Sequence, residues 1–183
     1  LIVRFPGGNR GQTENRMVST LDLLPTVLEL ARCPAITDLP GRSLVPLLDG
    51  SGVSSWRTYL FGEYNLHSAH NYFPQRCVRG ERYKLIENLQ PKTENPGYSF
   101  TIRRFYPGLQ ADIDSGPASI RRAYEIMRRP PRWELYDLQA DPHEFANLAE
   151  SPEHEEHLNR LQRELSRWRN ETADPMRDPQ NVK

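Results

Sequence analysis

Apolar residues recur along the chain with two different periods, and those periods predict its elements. Residues 1–5 form a short apolar run ended by Pro6-Gly7-Gly8, the pattern of a buried strand. Leu21, Leu24, Leu28 and Ala31 then repeat at helical spacing, widened by Val27 and Leu30, behind a capping Ser19 or Thr20. Pro25 has to fall in the first turn of that helix, where its missing N–H costs nothing. A short helix over 43–48 stops at Asp49-Gly50. Strand patterns follow at 59–63, 76–79 and 82–86, the last two joined by a turn at Gly80-Glu81. Residues 88–115 read as a long irregular connection, 118–129 as a helix and 133–136 as a strand. The clearest element is the last helix. It has Ser151 at the cap, Pro152 at the first position, Glu153, Glu155 and Glu156 near its positive end, and one stripe of Leu158, Leu161, Leu165 and Trp168. After Thr172 the chain is polar and is expected to fray. Strands followed by a covering helix predict a small antiparallel sheet with a helix on one face.

Composition qualifies this picture. Only 37% of the 183 residues are apolar and sixteen are proline, which favours long irregular connections. Mean hydropathy is −0.75, low for a self-contained globular domain. Net charge is zero. Its distribution is uneven: residues 100–132 hold seven arginines against three carboxylates, and 133–157 hold eight carboxylates with no Lys or Arg. The reading is either ordinary solvated charge or a basic wall facing an anionic substrate. No apolar run reaches the length of a membrane span, and no nucleic-acid motif accompanies the arginines. The first residues lack the features of a signal peptide and read as a strand entered from something upstream.

Three segments, in this order and spacing, resemble the C-terminal part of sulfatases: Val18-Ser19-Thr20-Leu21-Asp22-Leu23-Leu24-Pro25-Thr26-Val27-Leu28; Gly41-Arg42-Ser43-Leu44-Val45-Pro46-Leu47-Leu48; and Leu135-Tyr136-Asp137-Leu138 with Asp141-Pro142-His143-Glu144 and Asn147-Leu148-Ala149. Phe73-Pro74-Gln75-Arg76 after His67, Asn88-Leu89, residues 132–137 and the ending from Trp168 to Asp174-Pro175 resemble the N-sulfoglucosamine sulfohydrolase (heparan N-sulfatase) branch. The resemblance implies an α+β portion of an α/β, alkaline-phosphatase-like sulfatase. Residues 1–50 would be the last strand and helix of the large catalytic domain, and 51–183 the C-terminal subdomain. It also implies hydrolysis of sulfate esters or sulfamates of sugars with calcium and a formylglycine made from a Cys-x-Pro-Ser-Arg cysteine. Cys33 is followed by Pro34-Ala35-Ile36 and Cys77 by Val78-Arg79-Gly80, so no catalytic residue, metal ligand or cofactor is assigned to this chain. A sulfated saccharide is the implied partner, with a homo-oligomer open and no nucleic acid or membrane. A periplasmic, secreted or lysosomal site is what the family implies.

Four residues are candidates for touching the sugar: His67, Arg76, Glu63 and His70, which flank the entrance of the C-terminal subdomain. The planar guanidinium of Arg76 can hold a sulfate or carboxylate through two parallel hydrogen bonds, and a neutral His67 can meet a hydroxyl. The alternative is that Arg76 pairs with a protein carboxylate and the histidines are loop residues. His67-x-x-His70 lacks a fixed third ligand for a metal, and Asp137, Asp141 and Glu144 lack the calcium-loop spacing. Turn formation by Asp141-Pro142 accounts for that cluster. Two rival functions remain: a non-catalytic module binding sulfated glycans or a partner subunit, and a phosphate or phosphonate ester hydrolase of the same superfamily.

Overall fold

A computed structural model describes residues 1–4, 11, 13–49, 53–66 and 71–182. The chain forms two compact units, Leu1–Leu60 and Phe61–Lys183.

In the first unit a 3-10 turn, Thr20–Asp22, runs into helix α1, Leu23–Leu30. The Ser19 side chain accepts from the Leu21 N–H, while the Ser19 N–H donates to Asp22 Oδ2 at 2.7 Å. These bonds satisfy donors that a helix start leaves open. Pro25 lies in the first turn of α1, as its chemistry requires. Helix α2, Val45–Leu48, is a single turn and starts two residues later than the pattern suggested.

One expectation for this unit changes. Residues 1–4 are exposed and take no strand structure, because a strand needs a hydrogen-bonding neighbour and the described residues offer none; Phe5 lies outside them. The apolar face of α1 is turned outward. Asp22 and Thr26 are buried, whereas Leu21, Leu23, Leu24, Val27 and Leu30 are exposed, Val27 by 60%.

The second unit is built on a four-stranded sheet in the order β1-β2-β3-β4: β1 Leu60–Tyr64, β2 Gln75–Arg79, β3 Tyr83–Asn88 and β4 Trp133–Asp137. β2 pairs antiparallel with β3 and β3 with β4, with Cys77 opposite Ile86 and Leu85 opposite Leu135. The Gly80 N–H bonds the Tyr83 carbonyl to close the β2–β3 turn. Val78, Leu85 and Leu135 are fully buried on one sheet face. Leu161 and Leu165 of the long helix are equally buried, and that helix packs on β2 and β3. Trp168 stacks on Phe61 with ring centroids 5.3 Å apart.

Over 88–115, where an irregular connection is expected, the chain is largely helical, with α3 Pro96–Phe100, a π-helical turn Thr101–Phe105 and α4 Leu109–Ser115; α5, Ala118–Arg128, follows where the spacing predicts a helix. Asn95 caps α3 by accepting from the Gly97 N–H at 2.9 Å, and Pro96 opens it. Tyr98, Ile102 and Ile113 then form a small core with Leu109 and Tyr124. Helices α3 and α4 are short, so their periodicity is too brief to read as helix.

The long helix α6, Glu155–Glu171, is entered through a 3-10 turn, Pro152–His154. Ser151 holds the cap position without a side-chain cap bond. Past Thr172 the chain does not fray. It makes two 3-10 turns, Pro175–Arg177 and Pro179–Val182, tied back by Gln90 Nε2 to the Val182 carbonyl and by the Tyr72 hydroxyl to the Asn181 carbonyl.

Candidate functional site

Arg76 stands on the α6 face of β2, and the chain past α6 turns back over it. Its side chain is 0% exposed. Nε donates to Asp174 Oδ2 at 2.9 Å and Nη2 to Asp174 Oδ1 at 2.8 Å, a two-pronged charge-assisted pair. Nη1 donates to Asn65 Oδ1 and to the Gln75 carbonyl, both at 2.8 Å. Every nitrogen of the guanidinium meets protein, so the anion contact expected of Arg76 would require it to leave Asp174. Burial without solvent gives the reason: a buried cation needs a fixed counter-charge, and Asp174 supplies it.

The network continues beyond this pair. Arg169 of α6 donates through Nε to Asp174 Oδ2 at 2.7 Å, through Nη1 to Glu87 Oε2 at 2.6 Å and through Nη2 to the Met176 carbonyl at 2.8 Å. Glu87 of β3 accepts in turn from Arg132 Nη2 at 3.0 Å. Burial pushes the Asp174 carboxyl pKa up, but the Arg76 fork, the Met176 N–H and Arg169 outweigh it and hold the pKa at about 2. Sequence reasoning missed Asp174 as a structural centre, although Asp174-Pro175 is a readable helix-cap signal.

Glu63, at the outer end of β1, is the accessible member of the expected group. Its side chain is 56% exposed and its Oε2 lies 3.7 Å from Arg76 Nη2. The Phe73 N–H bonds the Asn65 carbonyl, with Phe73 buried, so the ends of the 65–73 connection are pinned together beside Glu63. His67 and His70 lie outside the described residues. The structure thus brings Glu63 and Arg76 together, with Asn65 beside them.

The first unit has its own charged centre. The buried Asp22 carboxylate accepts from both Nη atoms of Arg57, at 2.5 and 2.6 Å, and from the backbone N–H of Ser19 and Arg42. Burial raises its pKa, but those donors more than compensate, leaving it lowered. The Asp22 carbonyl accepts from the Thr26 hydroxyl, which accepts from the Leu44 N–H at 2.8 Å. Gly41 completes the turn. A Cβ there would meet the Leu21 carbonyl oxygen at 2.0 Å.

These commitments bear on metal binding. Asp22, Asp137 and Asp174 each face a guanidinium. Among the described residues no group of three or more His, Cys, Asp or Glu could hold a metal ion. They do not fit a calcium site. Cys33 is exposed, and burial raises the Cys77 thiol pKa. No described helix is long and apolar enough to cross a membrane.

Comparison with known proteins places these features. The chain is 32% identical to the N-sulphoglucosamine sulphohydrolase of Homo sapiens over 90% of its own length and 34% of that protein. It is 31% identical to an ulvan-active sulfatase of Formosa agariphila, over 90% of this chain and 31% of that protein. The chain therefore spans about a third of the length of these curated relatives. The solved structure of a 2-O GAG sulfatase matches 86% of this chain and 26% of its own, at 26% identity with a TM-score of 0.61. The antiparallel sheet and C-terminal helix are those of an alkaline-phosphatase-like sulfatase, as the sequence predicted. The model of the N-sulphoglucosamine sulphohydrolase C-terminal family matches residues 1–98, and the chain belongs to that family.

Proposed function

We propose that this chain is the C-terminal part of a sulfatase that hydrolyses sulfate esters or sulfamates of sugars, with N-sulfated glucosamine the preferred residue. The family match supports the reaction class. The observation that carries the architectural half is the outward apolar face of helix α1. A helix that buries Asp22 and Thr26 while exposing Leu21, Leu24 and Val27 presents an apolar face for further protein to cover. On this reading the first unit belongs to the edge of the large catalytic domain, and the second is the C-terminal subdomain.

Calcium and formylglycine belong to that larger domain in this proposal. Neither cysteine here stands in Cys-x-Pro-Ser-Arg, and the described carboxylates serve guanidiniums. The second unit's contribution is binding. Glu63 reaches solvent beside the pinned 65–73 connection, and we assign it, with His67 and His70, to the sugar hydroxyls. Arg76, tied to Asp174 and to Asn65, braces the end of β1 on which Glu63 stands.

Sulfate release from an N-sulfated glucosamine disaccharide, measured with the complete protein, tests the activity. Parallel arms use 6-O-sulfated glucosamine and a phosphonate monoester. Sulfate release is the expected result, fastest from the N-sulfated sugar. Turnover of the phosphonate alone would assign the protein to ester hydrolysis at phosphorus, and none at all would leave a glycan-binding module. The 183-residue chain by itself is expected to release no sulfate from an aryl sulfate supplied with calcium.

A further inference from the structure

Along the same charged network, the second unit opens a cleft of about 850 Å³ between the ends of β3 and β4, helix α6 and the C-terminal 3-10 turns. That volume falls in the range of clefts that hold a small ligand. Its charged lining is three guanidiniums, Arg132, Arg169 and Arg177, against one carboxylate, Glu87.

The carboxylate is already spent. Glu87 accepts from Arg169 on one oxygen and from Arg132 on the other, and Asp174 behind Arg169 is held by Arg76. Arg132 keeps its side chain 65% exposed and gives Glu87 only one of its nitrogens. Arg177 is exposed and forms no ion pair with a described residue. Two guanidiniums therefore reach the cleft with open donors. Between them Gln162 and Ser166 of α6 present side chains with no described hydrogen-bond partner. Trp133, whose ring lies 5.5 Å from the Arg132 guanidinium, and Pro179 add apolar lining.

We propose that this cleft binds an anionic saccharide, its sulfate or carboxylate held by Arg177 and Arg132. Gln162 and Ser166 meet the ring hydroxyls, and the apolar lining of Trp133 and Pro179 meets the carbon skeleton of the pyranose. Guanidiniums suit such anions because their planar donors match two oxygens at once. The amide and hydroxyl answer the other need of a sugar, donors and acceptors at short range. The cleft is separate from the Glu63 group and gives a long polyanionic chain a second hold. The choice of a sulfated sugar rests on the proposed function; the anionic class rests on the cleft alone.

The probe is a heparin-derived sulfated tetrasaccharide titrated calorimetrically into the full chain. Arg177→Glu is expected to weaken binding by about tenfold or more, and Arg177→Gln by less. Arg160→Glu, an equal charge change on α6 outside the cleft, is expected to leave the affinity within about twofold, as a distant exposed charge should. Circular dichroism checks that each variant keeps its fold. No binding by the unaltered chain, or equal losses for Arg160→Glu and Arg177→Glu, overturns the site. Binding that persists where the complete protein releases no sulfate overturns the proposed activity and still supports the cleft.

Discussion

Arg76 and Asp174, 98 residues apart in the sequence, are locked by two parallel hydrogen bonds of 2.9 and 2.8 Å in a site closed to solvent. The pair anchors the C-terminal turns to β2, and Arg169 extends the anchor to β3 through Glu87.

Breaking this pair from either side strands a buried charge. Asp174→Asn leaves Arg76 and Arg169 without their shared carboxylate and is expected to cost about 3–5 kcal/mol. Arg76→Lys keeps the charge but loses the fork, and a loss of about 1.5–3 kcal/mol is expected. Urea unfolding midpoints give both figures. In the complete enzyme, Arg76→Lys should leave turnover per folded molecule unchanged. A selective loss of efficiency on a sulfated disaccharide would return Arg76 to the substrate.

Acid should release the same anchor. Asp174 has its pKa lowered from the ordinary 3.8 to about 2, burial opposing the shift and Arg76 dominating it. Asp137 is lowered equally, by the Arg82 guanidinium against a smaller effect of burial. A carboxyl that binds its proton less readily when folded adds stability above the unfolded pKa, and that stability is lost as pH falls through the folded one. These groups are thus expected to hold stability level above about pH 5 and to lose it between about pH 4 and 2. In Asp174→Asn the fall should be shallower; an unchanged slope would remove Asp174 from the cause.

Gly41 gives a steric test in the first unit. Gly41→Ala sets a methyl 2.0 Å from the Leu21 carbonyl oxygen, so the turn that delivers the Arg42 N–H to Asp22 must move. A loss of about 1–3 kcal/mol is expected, the usual range for forced overpacking. Gly108→Ala has open space around it and should be neutral. Thermal unfolding of both variants settles the comparison.

Exposed leucines on α1 should make the isolated chain bind apolar dyes. Replacing Leu24 and Val27 with Gln is expected to lower dye fluorescence and leave the unfolding midpoint within about 0.5 kcal/mol, as for surface changes. A large loss of stability would show that this face is packed in the chain itself.

The sequence by itself determined the elements whose signal is local. Pro25 and the Ser19 cap placed α1, the strand patterns on either side of the Gly80-Glu81 turn placed β2 and β3, and the four-residue stripe placed α6. Nothing local says what an apolar face meets, so the spacing of α1 marks the face but only the tertiary structure leaves it open and buries Asp22 and Thr26 instead. Helices α3 and α4 were hidden for a related reason. Unlike α5, each is too short to show a period, and they hold together only when Tyr98, Ile102, Ile113 and Tyr124 converge. Arg76 is the plainest case: its fork suits a substrate sulfate and a protein carboxylate equally. Only the return of the chain after α6, which sets Asp174 against it with water excluded, decided which anion it holds.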